Sequence, residues 1–306
     1  MTYLNYRLAQ WMSVRLPSRL AFRIAERLAD SRWRSSASDR MAVEENLSLI
    51  FGSIPRTEGA IPEAWLVREV FRNFGRYLVE FLRIHQVPEP TIRIEGREHL
   101  TAVLEDPHGA IALTAHLGNW ELAGIALRRM GVPMTVVALP HEHPRVDQLF
   151  NRQRERCGLG VIPLGPHAAR QCLAAIRPGH LLGLLGDRDF SDNGIAAQLF
   201  GRTVILPRGP LVLSLRTHAP ILPLFLTREG EWIFRLRFET PIWPMMPTGA
   251  RRTAAELAQA YAETLEAALR RTPEQWLVFR PLASRMEQRP AARGRDAAPL
   301  PSVESA

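Results

Sequence analysis

The sequence predicts an α/β fold with a mixed, largely parallel central sheet that is flanked by helices and preceded by an N-terminal helical extension. Short, continuously apolar runs, such as residues 109–113 and 180–185, have the length and branching of strands buried in a parallel sheet. Stretches with helical spacing separate these runs. The 306 residues are enough for one large domain with a sizeable core.

The first 90 residues are predicted to form a helical extension that associates with membranes. Apolar residues recur at helical steps from Leu4 to Leu28, and four arginines between positions 15 and 27 form a second stripe. Pro17 is expected to divide this region into two helices. A cationic amphipathic helix can lie in a membrane interface, and the alternative is a helix packed on the domain with solvated arginines. We expect no transmembrane helix, because the apolar runs are far shorter than the roughly 20 residues that span a bilayer. We expect no signal peptide, because arginines recur from Arg7 onward and neither a continuous apolar region nor a small-residue cleavage site follows.

The α/β domain is predicted to span residues 91–283. Strands are expected at residues 91–96, 109–113, 134–139, 160–163, 180–185, 221–227 and 232–238. Helices are expected at residues 67–84, after the N-cap residue Asn119, within 168–176, and after Thr253, which opens a capping box with Glu256. Residues 284–306 are rich in Pro, Ala and Arg and are predicted to be a disordered tail.

Charge and cysteine content narrow the classes of function. All 39 basic residues are arginine, against 31 acidic residues, and the formal net charge is +8. This balance favours an anionic partner, such as a phospholipid surface, a phosphorylated glycolipid or an acidic carrier protein. Nucleic acid is not expected, because no zinc-finger, helix-turn-helix or aromatic RNA-binding motif is visible. Cys157 and Cys172 give no disulfide framework and lie in no recognisable Cys/His signature, so both are interpreted as structural.

Residues 114–121 read Thr-Ala-His-Leu-Gly-Asn-Trp-Glu and place a histidine and a carboxylate at a strand-to-helix junction. His116 is expected in the crevice at the carboxyl end of a strand, and Glu121 in the first turn of the next helix. A carboxylate there can hold the imidazole in one tautomer, which is the equipment of a general base. The alternative is a histidine and a glutamate that only cap and solvate the helix.

Residues 141–143, His-Glu-His, suggest a metal site at first sight. They lie between Pro140 and Pro144, which favours a loop over a ligand-bearing strand, and no third ligand stands at a diagnostic spacing. No metal is therefore expected.

The segment from His116 to Glu121 resembles the H-x-x-x-x-D/E motif of the lysophospholipid acyltransferase superfamily. Its Gly-Asn-Trp is similar to the lipid A biosynthesis (late) acyltransferase branch, which includes the phosphatidylinositol mannoside acyltransferases. The likeness continues in order through residues 151–158, 184–190, 206–210, 219–223 and 273–276.

This resemblance implies an acyltransferase that moves a fatty acyl chain from acyl carrier protein or acyl-CoA to a hydroxyl of a membrane glycolipid. It implies lipid A-type biosynthesis at the cytoplasmic face of a bacterial inner membrane, without a cofactor. Many members of that family carry a transmembrane anchor at the N-terminus, and this chain departs from them, so its attachment is expected to be peripheral. The alternatives are a phosphatidylinositol mannoside-type or other lysolipid acyltransferase, a thioesterase or esterase, and a non-catalytic lipid- or acyl-carrier-binding protein of the same fold.

The resemblance also implies roles for individual residues, with His116 as the catalytic base and Glu121 as its orienting partner. Substrate-binding roles are expected for Asn119, Arg152, Arg154, Asp187, Arg188, Asp189 and Arg208. Asp187 matches an acid that is functionally important in the family, and either Arg152 or Arg154 matches an arginine of its substrate site. Arg208 is similar to the position that contacts a phosphorylated acceptor, where a guanidinium offers two parallel hydrogen bonds. The alternatives are a loop ion pair for the acids and solvated side chains for the arginines.

Overall fold

The computed structural model of the protein describes residues 3–52, 63–85, 90–190 and 193–282. The helices in these ranges are α1 (Tyr3–Arg15), α2 (Ser18–Ser35), α3 (Ala37–Phe51), α4 (Glu63–Arg83), α5 (Arg97–Leu104), α6 (Trp120–Arg129), α7 (Pro144–Arg156), α8 (Ala168–Ala175), α9 (Arg208–Thr217) and α10 (Ala254–Arg271). The strands are β1 (Thr91–Glu95), β2 (Ala110–Thr114), β3 (Met134–Ala138), β4 (Gly160–Pro163), β5 (Leu181–Leu185), β6 (Ile195–Leu199), β7 (Arg202–Leu206), β8 (Ile221–Gly230) and β9 (Ile233–Phe238). The tail predicted for residues 284–306 lies outside the described residues.

The N-terminal region is helical, as the sequence predicts, and Pro17 lies at the N-cap of α2 between the first two helices. Ion pairs hold α2 against α4. Asp30 accepts four hydrogen bonds of 2.7 to 2.9 Å from Arg68 and Arg72, and these guanidinium groups hold its pKa well below the usual range. No helix of the described ranges is long and apolar enough to cross a membrane.

The hydrophobic core is shared by the N-terminal helices and the sheet. Leu47 and Ile50 of α3 and Val70 and Phe81 of α4 are at most 1% exposed. They belong to the same buried cluster as the apolar residues of the central strands. The core therefore continues across the predicted domain boundary at residue 90, and that boundary stays a prediction.

The central sheet has seven strands in the order β1-β9-β8-β2-β5-β3-β4. Its strand pairs are parallel except for β8 and β9, which form an antiparallel hairpin. The predicted mixed, largely parallel sheet is thus confirmed. Because β5 lies between β2 and β3, the carboxyl ends of β2 and β5 are neighbours at one edge of the sheet.

The register of β2 and β5 determines which residues face each other at that edge. The two strands pair residue by residue up to Thr114 opposite Leu185. Side chains two positions apart share a face of a strand, so the same register, continued by two residues, sets His116 opposite Asp187.

A separate two-stranded hairpin of β6 and β7 packs on α10 and was not predicted. Its turn consists of Phe200 and Gly201, both with positive φ (52° and 72°), as a two-residue type I′ turn requires. Glycine adopts this backbone easily, whereas phenylalanine rarely does, so the sequence does not indicate a turn here. The capping box of Thr253 and Glu256 at the start of α10 is confirmed.

Candidate active site

His116 and Asp187 form a hydrogen-bonded pair at the carboxyl edge of the sheet. Nδ1 of His116 lies 2.8 Å from Oδ1 of Asp187, and the backbone N–H of His116 donates to Oδ2 at 2.9 Å. A carboxylate at Nδ1 assigns the ring proton to that nitrogen and leaves Nε2 as a proton acceptor. The His116 side chain is 14% exposed, and its ring packs against the edge of Trp120 at 4.9 Å. The imidazole is therefore held firmly and still reachable.

The predicted orienting contact from Glu121 to His116 is wrong in the structure. Glu121 begins α6 as expected, but its carboxylate pairs with Arg154 of α7, whose Nε donates to Oε2 at 2.9 Å. Arg154 is buried, and a buried charge without a partner is costly, so the carboxylate of Glu121 pairs with Arg154. Asp187 takes the place that the sequence assigned to Glu121.

The carboxylate of Asp187 is fully buried and accepts a third hydrogen bond, from Nε1 of Trp276 at 3.2 Å. Burial by itself raises the pKa of Asp187, but the facing His116 and the hydrogen bonds from His116 and Trp276 outweigh it, and the pKa lies below its usual value. The acid is therefore ionised at neutral pH. It can stabilise the imidazolium that forms when His116 accepts a proton.

The segment that follows α10 forms hydrogen bonds with the His116–Asp187 pair and with the backbone beside it. Trp276 donates to Asp187, the backbone N–H of Leu277 donates to the carbonyl of His116 at 2.7 Å, and Gly118 donates to the carbonyl of Gln275 at 2.9 Å. One short stretch near the end of the described chain thus fixes both the acid and the backbone around the base.

Arg154 is the arginine that the structure brings into the site, and Arg152 is exposed on α7. Besides Glu121, Arg154 reaches Oδ1 of Asn151 at 2.7 Å. Burial lowers the pKa of Arg154, the Glu121 charge raises it, and the net pKa is above the usual value. This buried pair links α6 to α7. Of the two arginines that the sequence offered, Arg154 faces the site and Arg152 faces solvent, and a substrate contact of either one stays a prediction.

Asn119 caps α6, and both polar atoms of its side chain bind the protein. Its Oδ1 accepts the backbone N–H of Leu122 at 3.0 Å, and its Nδ2 donates to Oε2 of Glu80 at 2.8 Å. Glu80 is fully buried and pairs with Arg228 at 2.7 Å. Burial raises the pKa of Glu80 and lowers that of Arg228, so each charge depends on the other. The contacts of Asn119 in the structure are therefore structural ones, and its contact with a substrate stays a prediction.

A mainly apolar cavity of about 210 Å³ is lined by residues of the central strands and of α6. His116 and Asp187 are not among its lining residues, but Thr114 and Leu185, each two residues before a member of the pair, are, and so is Trp120, whose ring contacts that of His116. The lining also includes Met134, the first residue of β3, and Gly183, where an added Cβ would lie 2.4 Å from Cε of Met134. The end of the methionine side chain therefore occupies the space that a side chain at position 183 would need.

The cavity is polar at its other end. Glu121, Arg154 and His141 line it there, and they follow the carboxyl ends of strands or lie on the helices beyond them. Burial and the neighbouring Arg154 lower the pKa of His141, so its imidazole is neutral near pH 7. An elongated apolar molecule with a polar head fits this distribution of side chains.

Three other predicted substrate residues lie on loops or at a helix start. The guanidinium of Arg188 lies 4.7 Å from the ring centroid of Phe190, and Asp189 accepts the backbone N–H of Gly194 at 3.1 Å. Arg208 is the first residue of α9 and is exposed. Their contacts with a substrate stay predictions.

Neither cysteine is a thiolate at neutral pH. Burial raises the pKa of Cys157 to about 11 and also raises that of Cys172. In the ranges that the structure describes, no cluster of three or more His, Cys, Asp or Glu side chains is suited to hold a metal ion. His143 instead caps α7, since its Nδ1 accepts the backbone N–H of Arg145 at 3.2 Å, and the loop predicted at residues 141–143 is confirmed.

Sequence reasoning missed Glu80, Arg228 and the contact of Trp276. Glu80 carries a weak signal, because it is a single acid in the apolar run Leu78-Val-Glu-Phe-Leu82 of a helix. Arg228 lies near the end of β8, and the sequence around it gives no local sign of its partner. Trp276 belongs to a segment that the resemblance singled out, but its target is 89 residues away.

Comparisons with known proteins agree with one another. The family model for the bacterial lipid A biosynthesis acyltransferase matches residues 3–283. The phosphatidylinositol mannoside acyltransferase of Mycobacterium tuberculosis is 28% identical over 295 residues, which cover 92% of this chain and 90% of that protein. The protein of the same name from Mycolicibacterium smegmatis is 26% identical over 276 residues, 87% of each chain. A lipid A biosynthesis acyltransferase of Haemophilus influenzae is 26% identical over 183 residues, 60% of this chain and 56% of that protein.

Proposed function

Because the chain belongs to the bacterial lipid A biosynthesis acyltransferase family, we propose that it moves a fatty acyl chain from an acyl thioester to a hydroxyl of a membrane glycolipid. Family membership makes the protein an acyltransferase, and the proposal concerns its donor and its acceptor. The observation that carries it is the His116–Asp187 pair, whose neighbours Thr114, Leu185 and Trp120 line a mainly apolar cavity. The base accepts the proton of the acceptor hydroxyl, and the apolar cavity suits a fatty acyl chain.

The chemistry follows from the two ring nitrogens of His116. Nε2 takes the proton of the acceptor hydroxyl while the hydroxyl oxygen attacks the thioester carbonyl, and Asp187 stabilises the imidazolium. The C–O bond forms, the tetrahedral oxyanion collapses, the C–S bond breaks, and the leaving thiolate takes the proton back from His116. General base assistance of this kind is worth about 10²–10⁴ in rate. No protein nucleophile is needed, in keeping with the protonated thiols of both cysteines.

The donor is either acyl carrier protein or acyl-CoA. Both are anionic, and the net charge of +8 suits both. The thioester is the co-substrate, and the proposed reaction needs no other cofactor. Glu121 holds Arg154 in place at the polar end of the cavity, beside the polar head of the molecule that enters it.

Two acceptor classes are proposed, and the comparisons support them unequally. A phosphatidylinositol mannoside-type acceptor is supported by relatives matched over about nine tenths of this chain, whereas the lipid A relative is matched over 60%. Both kinds of lipid carry phosphate. The exposed Arg208 at the N-terminus of α9 has the chemistry for such a group, since a guanidinium binds it through two hydrogen bonds and the helix end favours an anion.

We further propose peripheral attachment to the cytoplasmic face of the inner membrane through α1. Leu4, Leu8 and Trp11 lie on one face of α1 and are 75%, 56% and 58% exposed. Arg7 and Arg15 are exposed beside them. Large apolar side chains in water next to cations suit an interface with anionic lipid and argue against a helix that buries its apolar stripe on the domain.

Purified protein incubated with a radiolabelled acyl thioester, with and without a total lipid extract, tests the reaction. The proposal predicts labelled lipid that appears only when the extract is present, and mass spectrometry of that product identifies the acceptor. Label released as free fatty acid in both samples would indicate a thioesterase. Label that stays on the thioester would contradict transfer and favour a non-catalytic binding protein.

A further inference from the structure

The indole of Trp276 shares a carboxylate oxygen with the backbone of the catalytic histidine. Oδ2 of Asp187 accepts both the backbone N–H of His116 at 2.9 Å and Nε1–H of Trp276 at 3.2 Å, while Oδ1 faces Nδ1 of His116 at 2.8 Å. Trp276 is 2% exposed and Asp187 is fully buried, so water does not compete for these contacts. Hydrogen bonds to a charged group are strong in such surroundings.

Trp276 is held rigidly enough to act through this contact. Leu117 pairs with Trp276 as an antiparallel bridge, and the neighbouring Leu277 donates to the carbonyl of His116. On the other side, the amide of Gln275 binds both backbone groups of Arg228, at 2.8 and 2.9 Å. The indole therefore has a fixed position relative to the acid and the base.

We propose that Trp276 is a positioning residue for the reaction, whose indole N–H orients Asp187 and limits how strongly that carboxylate attracts the proton held by His116. A donor on Oδ2 stabilises the negative charge, which weakens the carboxylate as an acceptor for the imidazolium. Without the indole N–H, the carboxylate stabilises the imidazolium more and holds the ring less precisely in place. His116 then stays protonated to a higher pH and is a base over a narrower range.

The other groups around the His116–Asp187 pair do not change charge over the working pH range, so the balance between Asp187 and His116 depends on Trp276. Tyr261 faces Asp187 from α10 and donates its hydroxyl to the carbonyl of Thr114 at 2.8 Å. Burial and the Asp187 charge raise the pKa of Tyr261 well above its usual value, so it is neutral over the working range. Trp120 contacts the His116 ring but has no titratable group, and Glu121 is neutralised by Arg154.

The test compares Trp276→Phe, which removes the N–H and keeps an aromatic ring, with the matched control Trp232→Phe. The indole of Trp232 donates to Oγ of Ser18 at 2.8 Å, in a contact between the β8–β9 turn and α2 that involves neither His116 nor Asp187. The imidazole of His116 is titrated by NMR in each protein, with its resonance assigned by its loss in His116→Ala. Trp276→Phe should raise the titration midpoint by about half a unit to one unit, and Trp232→Phe should not.

Two further measurements separate positioning from simple packing. In the wild-type protein, the indole N–H resonance of Trp276 should titrate with the same midpoint as His116, which needs no variant. In an Asp187→Asn background, Trp276→Phe should bring no further change in activity or in its pH profile, because the indole acts through the carboxylate.

The catalytic part of this inference rests on the proposed acyl transfer, and the titration does not. If the wild-type protein transferred no acyl group while the midpoint still rose in Trp276→Phe, the proposed function would fail and the positioning of His116 would stand. An unchanged midpoint in a folded Trp276→Phe protein, or equal shifts in both tryptophan variants, would overturn the inference.

Discussion

Replacing Asp187 by asparagine tests how the base is built. The carboxylate accepts three hydrogen bonds, two from His116 and one from Trp276. An asparagine side chain offers one acceptor oxygen and an NH₂ group that cannot accept. To keep a bond with that NH₂ group, Nδ1 of His116 must become an acceptor, and its proton then sits on Nε2. That nitrogen is the one that has to take the proton from the acceptor hydroxyl.

We therefore expect Asp187→Asn to lose most of the general base assistance, about 10²–10⁴ in kcat, or about 3–5 kcal/mol of transition-state stabilisation. The assay is the initial rate of lipid acylation from a radiolabelled thioester, with circular dichroism to confirm folding. Asp39→Asn is the control, because Asp39 forms an exposed ion pair with Arg32 on the N-terminal helices. Turnover of Asp187→Asn within a few-fold of the wild type would refute this account of the base.

The same substitution has a pH signature in stability. The folded pKa of Asp187 lies below its unfolded value, so the carboxylate contributes stability that is fully present above about pH 4 and is lost as the pH falls through the folded pKa. Asp187→Asn has no such titration. The difference in unfolding free energy between the two proteins should therefore shrink below about pH 4, as measured by urea unfolding. A difference that stays constant through this pH range would mean that the pKa of Asp187 is the same in the folded and unfolded states, which would contradict the stabilising contacts assigned to the carboxylate.

Three other predictions follow from the buried pair, the cavity and α1. Glu121→Gln leaves the guanidinium of Arg154 buried without its charge partner and should lower the unfolding free energy by about 3–5 kcal/mol. The loss should be smaller when Arg154→Met is added, and additive losses would contradict the pairing. Gly124→Leu, on the α6 wall of the cavity, should raise KM for long acyl thioesters about tenfold or more and spare short ones, as a series of donors would reveal. Combined Leu8→Ser and Trp11→Ser substitutions should weaken binding to anionic vesicles several-fold in sedimentation assays without changing the unfolding midpoint. Binding by the wild-type protein should fall as salt rises. Equal binding by the two proteins would show that α1 does not contact the membrane.

Local patterns predicted most of the fold because the information they need is local. The apolar runs at residues 109–113 and 180–185 are β2 and β5 within one residue, and the capping box at Thr253 opens α10. Pro17 separates α1 from α2 because a proline is tolerated at the start of a helix and not in its interior. The β6–β7 hairpin was missed because its turn uses a phenylalanine in a conformation that favours glycine.

The site was predicted only as far as one edge of the sheet. The sequence placed His116 at the carboxyl end of a strand, and the strand predicted at residues 180–185 ends just before Asp187. The contact between the two residues depends on β5 lying next to β2, which is a property of strand order and not of local spacing. Glu121 was paired with His116 because the two are close in sequence, whereas its partner Arg154 comes from the next helix but is 33 residues away. Non-local charge pairing of this kind leaves no periodic trace in a sequence.

The most direct test of the central claim is the rate of acyl transfer from a radiolabelled thioester to lipid in the wild-type protein and in His116→Ala, measured side by side at saturating donor. We expect labelled lipid from the wild type and at least about 100-fold slower labelling from His116→Ala, with the same circular dichroism spectrum. A folded His116→Ala protein that labels lipid at a rate near that of the wild type would contradict it.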